Sequence, residues 1–473
     1  MPGVAVNVLI RLISLTDNDM KKEKADLVSR RDFLTLTGAG LSVGLAGRGP
    51  FFIFPQSSEA QKKKLKILQW KHFVPGYDRW FDDVFAKEWG QKHDTDVNIH
   101  HVPFWEINAR AIAEVKAGSG HDLVMFPSPP ASYESHVIDH AGIYKEIAGK
   151  QGQMIKLAHL STFNPSTKKY FAFADSYIPV AFNYVRDYWE HIGYTYGPTT
   201  YDSLREGAKQ IRKALGIPCG LGLAPEPDSN VALHALLWSF GGLVQDAGGN
   251  VVINSGETIE ALQYVKALYQ ESETAEVFNW NPYSNDRAIL GGKVSCAVNA
   301  VSIARQAERE MPEMSDRIMM NPSLRGLSNW RACPHITSCY VVWRFAENQE
   351  GARQFLVDLA DNLGTGFKVS GFCNFPCFPK TVPDMKKQLE NDPSATPRHK
   401  YMATEDALLW TSNIGYPGYA TPAVEEVFNT FVIPKMFAAV AKGKLTPQDA
   451  ASAAEMEVKQ IFDKWRSPRT VNS

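Results

Sequence analysis

From about residue 62 onward the spacing of apolar positions switches repeatedly between strand and helix periods. Residues 65–70 read as a strand. Residues 77–90 carry Trp80, Phe81, Val84, Phe85 and Trp89 at helical spacing, which predicts an amphipathic helix. Residues 96–102 alternate as a strand, and 105–117 read as a helix ended by Gly118. Residues 121–126 form a short apolar run stopped by Pro127-Ser128-Pro129-Pro130. This alternation predicts a parallel sheet with helices on its faces.

Further strands are expected within 170–183, broken near Asp175-Ser176, and at 251–253. Helices are expected at 201–215, at 229–240 up to Gly241-Gly242, and at 257–270, where Ile259, Leu262, Val265 and Leu268 are apolar. Strands at 294–298 and 336–342 have the composition to return to the first sheet, and the chain from about 422 reads as helical. No repeat, low-complexity tract or linker interrupts the pattern. A chain of this length is too long for one core and predicts two lobes, with the backbone crossing between them within strands.

The first 60 residues read differently. Ser29-Arg30-Arg31-Asp32-Phe33-Leu34 resembles the twin-arginine export pattern, with Thr35 where Lys is usual. A Gly-rich, mildly apolar stretch follows, and Arg48 argues against a retained membrane span. Ser58-Glu59-Ala60 offers small residues at a cleavage site, so Arg30, Arg31 and Ala60 are the expected signal residues. The expectation is export to the periplasm or beyond by the twin-arginine route.

Residues 61–473 hold 43 Lys and Arg against 45 Asp and Glu. That balance argues against nucleic acid or an anionic membrane as the main partner. Eleven Trp and an aromatic share of 11% exceed what a core needs and suit recognition surfaces. Six Cys are compatible with disulfides in an oxidising compartment; Cys373 and Cys377 have the spacing to close a small loop, but sequence does not choose among the pairings.

The sharpest enzyme-like feature is His136-Val137-Ile138-Asp139-His140, where two His four residues apart on a helix face can grip a metal. It supports an alternative reading as an exported metal-dependent hydrolase. No third ligand follows by spacing, and no nucleophile elbow, P-loop or dinucleotide fingerprint is present. The expectation is therefore a binding protein, with no catalytic residue, metal or cofactor.

An ordered series of weak motifs carries a resemblance. It includes Gly120-His121-Asp122-Leu123-Val124-Met125, Gly142-Ile143-Tyr144-Lys145-Glu146-Ile147, Phe182-Asn183-Tyr184-Val185-Arg186-Asp187 and Pro198-Thr199-Thr200-Tyr201-Asp202-Ser203-Leu204. Later come Ala288-Ile289-Leu290-Gly291-Gly292-Lys293 and Leu445-Thr446-Pro447-Gln448-Asp449-Ala450. Together these resemble family 1 of the extracellular solute-binding proteins, the carbohydrate-binding components of ABC importers. The resemblance implies an α/β, two-lobed type II periplasmic-binding-protein fold with an interlobe cleft and several crossover segments. It implies one lobe from 61–174 with about 296–338, and another from 175–295 with about 339–473. Crossings would fall near 173–177, 335–340 and 372–378. The implied partners are a carbohydrate-like solute and a membrane permease, with the chain itself a monomer; feeding a sensor is the other role open to such a binder.

Cleft residues belong at the carboxyl ends of strands and the loops beyond. After the first strand, where the resemblance implies ligand contact, that rule points to His72 and Phe73; it adds Ser128 after the third strand, and Asp175, Ser176 and Tyr177 at the first crossing. It adds Ser229 and Asn230 at a helix start, His234 one turn on, and Asn299 and Ser302 after a later strand. Asp228 reads there as a helix cap more than as a contact. Trp105, Trp280, Trp330, Tyr416 and Tyr419 are candidate aromatic platforms for the apolar face of a sugar. Arg287, Arg325 and Arg331 have the charge to hold an anionic group.

Overall fold

The protein is described by a computed structural model covering residues 62–467. The expectations for Arg30, Arg31 and Ala60 lie outside the described residues. Among those that are described, no helix is long and apolar enough to cross a membrane.

Among the described residues eleven strands run in chain order: β1 Lys63–Trp70, β2 Thr95–Val102, β3 Leu123–Phe126, β4 Phe163–Asn164, β5 Lys169–Tyr170, β6 Phe173–Ile178, β7 Ala181–Val185, β8 Cys296–Asn299, β9 Ile318–Asn321, β10 Ile336–Val342 and β11 Phe375–Pro376. One six-stranded sheet has the order β11-β6-β10-β3-β1-β2, and a three-stranded sheet has the order β8-β7-β9. β4 and β5 form a small separate pair. β1 pairs in parallel with β2 and β3, as the opening rhythm predicts, because each connection contains a helix. β10 and β6 then pair antiparallel within the same sheet.

The first long helix forms where its aromatic stripe requires. Helical segments Pro75–Trp80, Phe81–Phe85 and Ala86–Lys92 are consecutive, the middle one in π geometry. Phe81, Phe85 and Trp89 pack on Phe355, with ring centroids 5.8, 5.1 and 5.1 Å away. The helix Ile107–Ala117 ends at Gly118 with φ +64°, a left-handed position glycine adopts without strain. Helix Tyr201–Leu215 begins with a capping box: Ser203 N–H donates to Thr200 Oγ1 at 3.0 Å, and Thr200 N–H donates to Ser203 Oγ at 3.0 Å. Thr200→Ala is expected to lower stability by about 1 kcal/mol, read as a shift in the urea midpoint without a change in slope.

Three local expectations are corrected. The break in 170–183 falls at Pro179-Val180 rather than at Asp175-Ser176, which lie inside β6. Pro179 has no N–H for the ladder, whereas Asp175 and Ser176 are wholly buried within it. Residues 251–253 form only a single bridge between Val251 and Gln245. The strand expected at 294–298 is β8, and it joins β7 in the smaller sheet rather than the first sheet. A four-residue strand does not encode which sheet it enters; that depends on β7, which sits 110 or more residues earlier in the chain. β10 does join the first sheet, between β6 and β3. The assignment of 296–299 to the first lobe and of 339–342 to the second is thereby reversed, strand by strand.

The His136/His140 motif is also corrected. His136 ends the 3-10 segment Ala131–His136, and His140 precedes the helix Ala141–Gln151, so the two do not share a helix face. His140 is fully buried; its Nδ1 bonds the Tyr170 carbonyl at 3.1 Å, and its Nε2 accepts from Val342 N–H at 3.1 Å. Burial lowers its pKa to about 4, so the ring is a neutral brace between strands. Among the described residues, no group of three or more His, Cys, Asp or Glu is placed to hold a metal ion.

Candidate ligand-binding cleft

A cavity of about 410 Å³ lies where the ends of β1 and β2 face segments attached to the smaller sheet. On one side are Lys71, His72 and Phe73 after β1, and Phe104 and Trp105 after β2. On the other are Asp228 in the first turn of helix Pro227–Phe240, Tyr283 and Asp286 around the start of helix Ser284–Leu290, Asn299 at the end of β8, and Ser302 with Gln306 on helix Ser302–Glu310. His335, just before β10, joins the two sides. A wider hollow of about 620 Å³ lies at the β2 edge, among Asp83, Lys87, Asp96 and other surface side chains. It has no aromatic wall and involves one sheet only, so the interlobe cavity is the better site.

Aromatic rings form one wall. Phe73 packs on Trp70, Phe104 and His335, with centroids 5.0, 5.7 and 5.3 Å away. Trp105 meets Tyr283 edge to face across the cleft at 5.4 Å and 87°. These two rings remain 43% and 52% exposed, far more than a packing role requires.

Polar groups converge on the opposite wall. His335 Nε2 and Asp228 Oδ1 are 2.7 Å apart. Asn299 Nδ2 donates to Asp286 Oδ1 at 2.9 Å and lies 3.4 Å from Asp228 Oδ2, while its Oδ1 accepts from Ala300 N–H at 2.6 Å. One amide thus spans two carboxylates and is oriented by the backbone. Asp228 is free to serve here because Glu226 caps the helix instead, accepting from Asp228 N–H at 2.9 Å and Ser229 N–H at 2.5 Å.

Burial pushes the Asp286 carboxyl up to about 7, with the charge of Asp228 adding to the effect. Its folded pKa therefore stands above the usual 3.8. Between these values the folded protein keeps a proton that the unfolded chain releases. The stability it contributes is present in acid and is lost as pH rises through about 7. Asp286→Asn is expected to flatten this part of the pH dependence, and urea midpoints of both proteins on the two sides of that window check it. An unchanged midpoint difference would exclude the titration of Asp286 as its source.

Five of the residues selected from sequence line the cavity: His72, Phe73, Trp105, Asn299 and Ser302. His72 does so as a packing group. Its Nδ1 accepts from Val74 N–H at 2.9 Å, its Nε2 faces Asn374 Oδ1 at 2.9 Å, and burial lowers its pKa to about 4. The others lie away from the cavity. Ser128 is half-buried beyond β3. Asp175, Ser176 and Tyr177 are buried in β6, with Ser176 Oγ donating to Asp175 Oδ1 at 3.0 Å and Tyr177 packed on Phe375. Ser229 hydrogen-bonds Glu226, Asn230 donates to the Phe428 carbonyl at 3.0 Å, and His234 packs on Trp238 and Phe428. Trp280 lines a separate surface hollow with Arg287, Tyr416 packs on Trp238, and Tyr419 packs on Phe163. Trp330 lies under Arg325, and Arg331 lies over Tyr416. The residues selected at or after the ends of β1 and β8 line the cavity, and Ser128 after β3 does not. The rule of strand ends fails at β6, which continues into a neighbouring strand and buries its polar residues in the sheet.

Asp286, Tyr283, His335, Phe104 and Gln306 were not selected from sequence. No local pattern marks them, since each sits in an ordinary helix start or loop and gains its place only from the meeting of separate segments.

Comparison with known structures agrees with this architecture. The maltose-bound MalE3 of T. maritima superposes with a TM-score of 0.70 at 18% identity, covering 84% of this chain and 99% of that one. A sugar transporter protein of Arthrobacter chlorophenolicus with bound laminaribiose gives 0.67 at 14% identity, with coverages of 84% and 99%. An ABC transporter solute-binding protein of Agrobacterium radiobacter in complex with ribitol gives 0.66 at 16% identity, with coverages of 85% and 99%. At these identities the likeness establishes the two-lobed fold. Comparison with curated protein sequences finds no match. The model of the bacterial extracellular solute-binding proteins matches residues 75–357, more than half of the sequence, and the chain belongs to that family of binding proteins, which act outside the cytoplasm.

Proposed function

We propose that the cleft binds a small polyhydroxylated solute, a sugar or polyol, and that the chain delivers it to an ABC-type importer. The observation that carries this reading is the pairing of opposite walls. Exposed Trp105 and Tyr283 offer ring faces and edges to the apolar C–H surface of a sugar. The lone pairs of the Asp228 and Asp286 carboxyl oxygens that Asn299 and His335 do not occupy can accept hydroxyl protons. Each hydroxyl needs such a partner, because leaving one buried and unpaired costs about 1–3 kcal/mol. The cavity volume falls in the usual range of small-molecule sites, with room for one or two sugar rings. The maltose, laminaribiose and ribitol named with the structural neighbours belong to this chemical class.

Ligand entry would occur by hinged separation of the walls now joined by the Trp105–Tyr283 contact, and closure would present the permease with a filled form. The test is a thermal-shift panel of monosaccharides, disaccharides and polyols. A true ligand raises stability with concentration, by about 2.7 kcal/mol at a hundred times its dissociation constant. A complete panel without a shift would remove the carbohydrate reading. Export by the twin-arginine route is proposed with it. Replacing both Arg30 and Arg31 by Lys is expected to leave uncleaved precursor in the cytoplasm, seen by immunoblotting of cell fractions.

A further inference from the structure

We propose that Cys219 and Cys296 form a disulfide in the exported protein. Their sulfurs lie 3.5 Å apart, although 77 positions separate them in the chain. Both side chains are 1% exposed. Among the described residues no hydrogen bond joins any other two cysteine sulfurs, and the remaining four cysteines are buried. The loop suggested by the spacing of Cys373 and Cys377 is not closed; β11 holds that segment extended against β6.

The backbone is arranged for close approach. Ser295 N–H donates to the Pro218 carbonyl at 2.8 Å, which lays residues 218–220 along β8, the edge strand of its sheet. A Cβ on Gly220 would come within 2.2 Å of the Cys296 carbonyl oxygen, so only glycine permits this spacing. The local environment also separates the roles of the two sulfurs. For Cys296, burial opposes ionisation, but hydrogen bonds from the Cys219 thiol, the Gly220 amide and the Ser295 hydroxyl outweigh it and lower the thiol below its ordinary value. Cys219 is raised by its hydrogen bond to Cys296 and by burial. The Ser295 hydroxyl also faces the Cys296 sulfur, at 3.9 Å, and in this proposal Cys296, on the edge strand, is the attacking sulfur.

The oxidant is an accessible protein disulfide of the thiol-oxidising class found outside the cytoplasm. Cys296 thiolate attacks one of its sulfurs, forming a mixed disulfide and releasing the other as a thiolate. Cys219 loses its proton to solvent and attacks the Cys296 sulfur, expelling the second oxidant sulfur as a thiolate. The pair loses two electrons and two protons, and the oxidant becomes a dithiol. The exchange takes place as the edge segment closes on β8, or when it opens locally. The loop so closed contains Asp228 and Asp286, so the bond braces one wall of the cleft. This inference rests on the extracellular location of the family and not on the identity of the ligand.

Thiol mapping tests it without requiring any variant to fold. Protein recovered from its exported location is quenched in acid, denatured without reductant, alkylated with iodoacetamide, digested and analysed by mass spectrometry. The expected result is one peptide pair joined through Cys219 and Cys296, with the other four cysteines alkylated. Six alkylated cysteines, or a linkage between any other two, would overturn the proposal. In Cys219→Ser, Cys296 is expected to become alkylated; Cys296 still linked to another cysteine of the chain would count against the assignment.

Discussion

With Asp228 replaced by alanine, the cleft is expected to hold its solute about tenfold to a hundredfold more weakly, the loss that follows from removing a hydrogen bond to a charged group. Two effects add. The carboxylate oxygen that faces the cavity disappears, and His335 loses the acceptor 2.7 Å from its Nε2. The His335 Nδ1 is already buried without a partner, so the ring in the variant would have neither nitrogen bonded. The ring also packs against Phe73, and its reorientation would disturb the aromatic wall. Isothermal titration with the solute found by the panel measures the effect. Asp228→Asn, which keeps the shape and one acceptor oxygen, should lose less. An unchanged affinity in Asp228→Ala would show that this carboxylate does not contact the solute.

The second large effect concerns stability. Arg305 is 7% exposed on the helix that carries Ser302 and Gln306 to the cleft. Its guanidinium donates to the Gly371 carbonyl at 2.9 Å, to Glu308 at 3.0 Å and to Ser394 at 2.9 Å, pairs with Asp392, and lies 3.6 Å from the centroid of the Tyr401 ring. Arg305→Met keeps the packing volume but strands buried carboxylates, so it is expected to lower stability by about 3 kcal/mol. The loss stays at the lower end of the range for broken buried pairs because Lys400 remains 3.5 Å from Glu308. Asp392, left with only Ser394, carries most of the loss. Chemical unfolding followed by tryptophan fluorescence measures it. A loss no larger than that of the Thr200 variant would show that the cluster contributes little net stability.

Much of the fold is legible in the chain because it rests on short-range patterns. The aromatic stripe from Trp80 to Trp89 can bury only as a helix, Gly118 and Gly241 stop helices through left-handed backbone, and the mostly apolar, β-branched and aromatic run Ile336–Val342 is wholly buried as a strand. The placement of short strands is less legible. β8 is four residues long, apolar up to its final Asn299, and nothing within it distinguishes the smaller sheet from the larger. Polar residues at strand ends were equally ambiguous. Asn299 and Asp175 are both short polar residues expected at the end of an apolar run, yet one ends β8 at the cavity and the other lies inside β6, sealed in the sheet.

Local sequence by itself determined most of the long helices and strands, chain length pointed to two lobes, and the near-neutral charge argued against nucleic acid or an anionic membrane, because each depends on residues close together, on length or on composition. Only the tertiary structure decided the binding wall. Asp228, Asp286, Asn299 and His335 come from four separate segments, and Trp105 reaches Tyr283 from the opposite side. The same holds for Cys219 and Cys296, whose contact depends on the edge pairing of Pro218 with Ser295. Side chains that converge from distant segments leave no periodic trace in the chain, since their common position is set by the packing of whole elements.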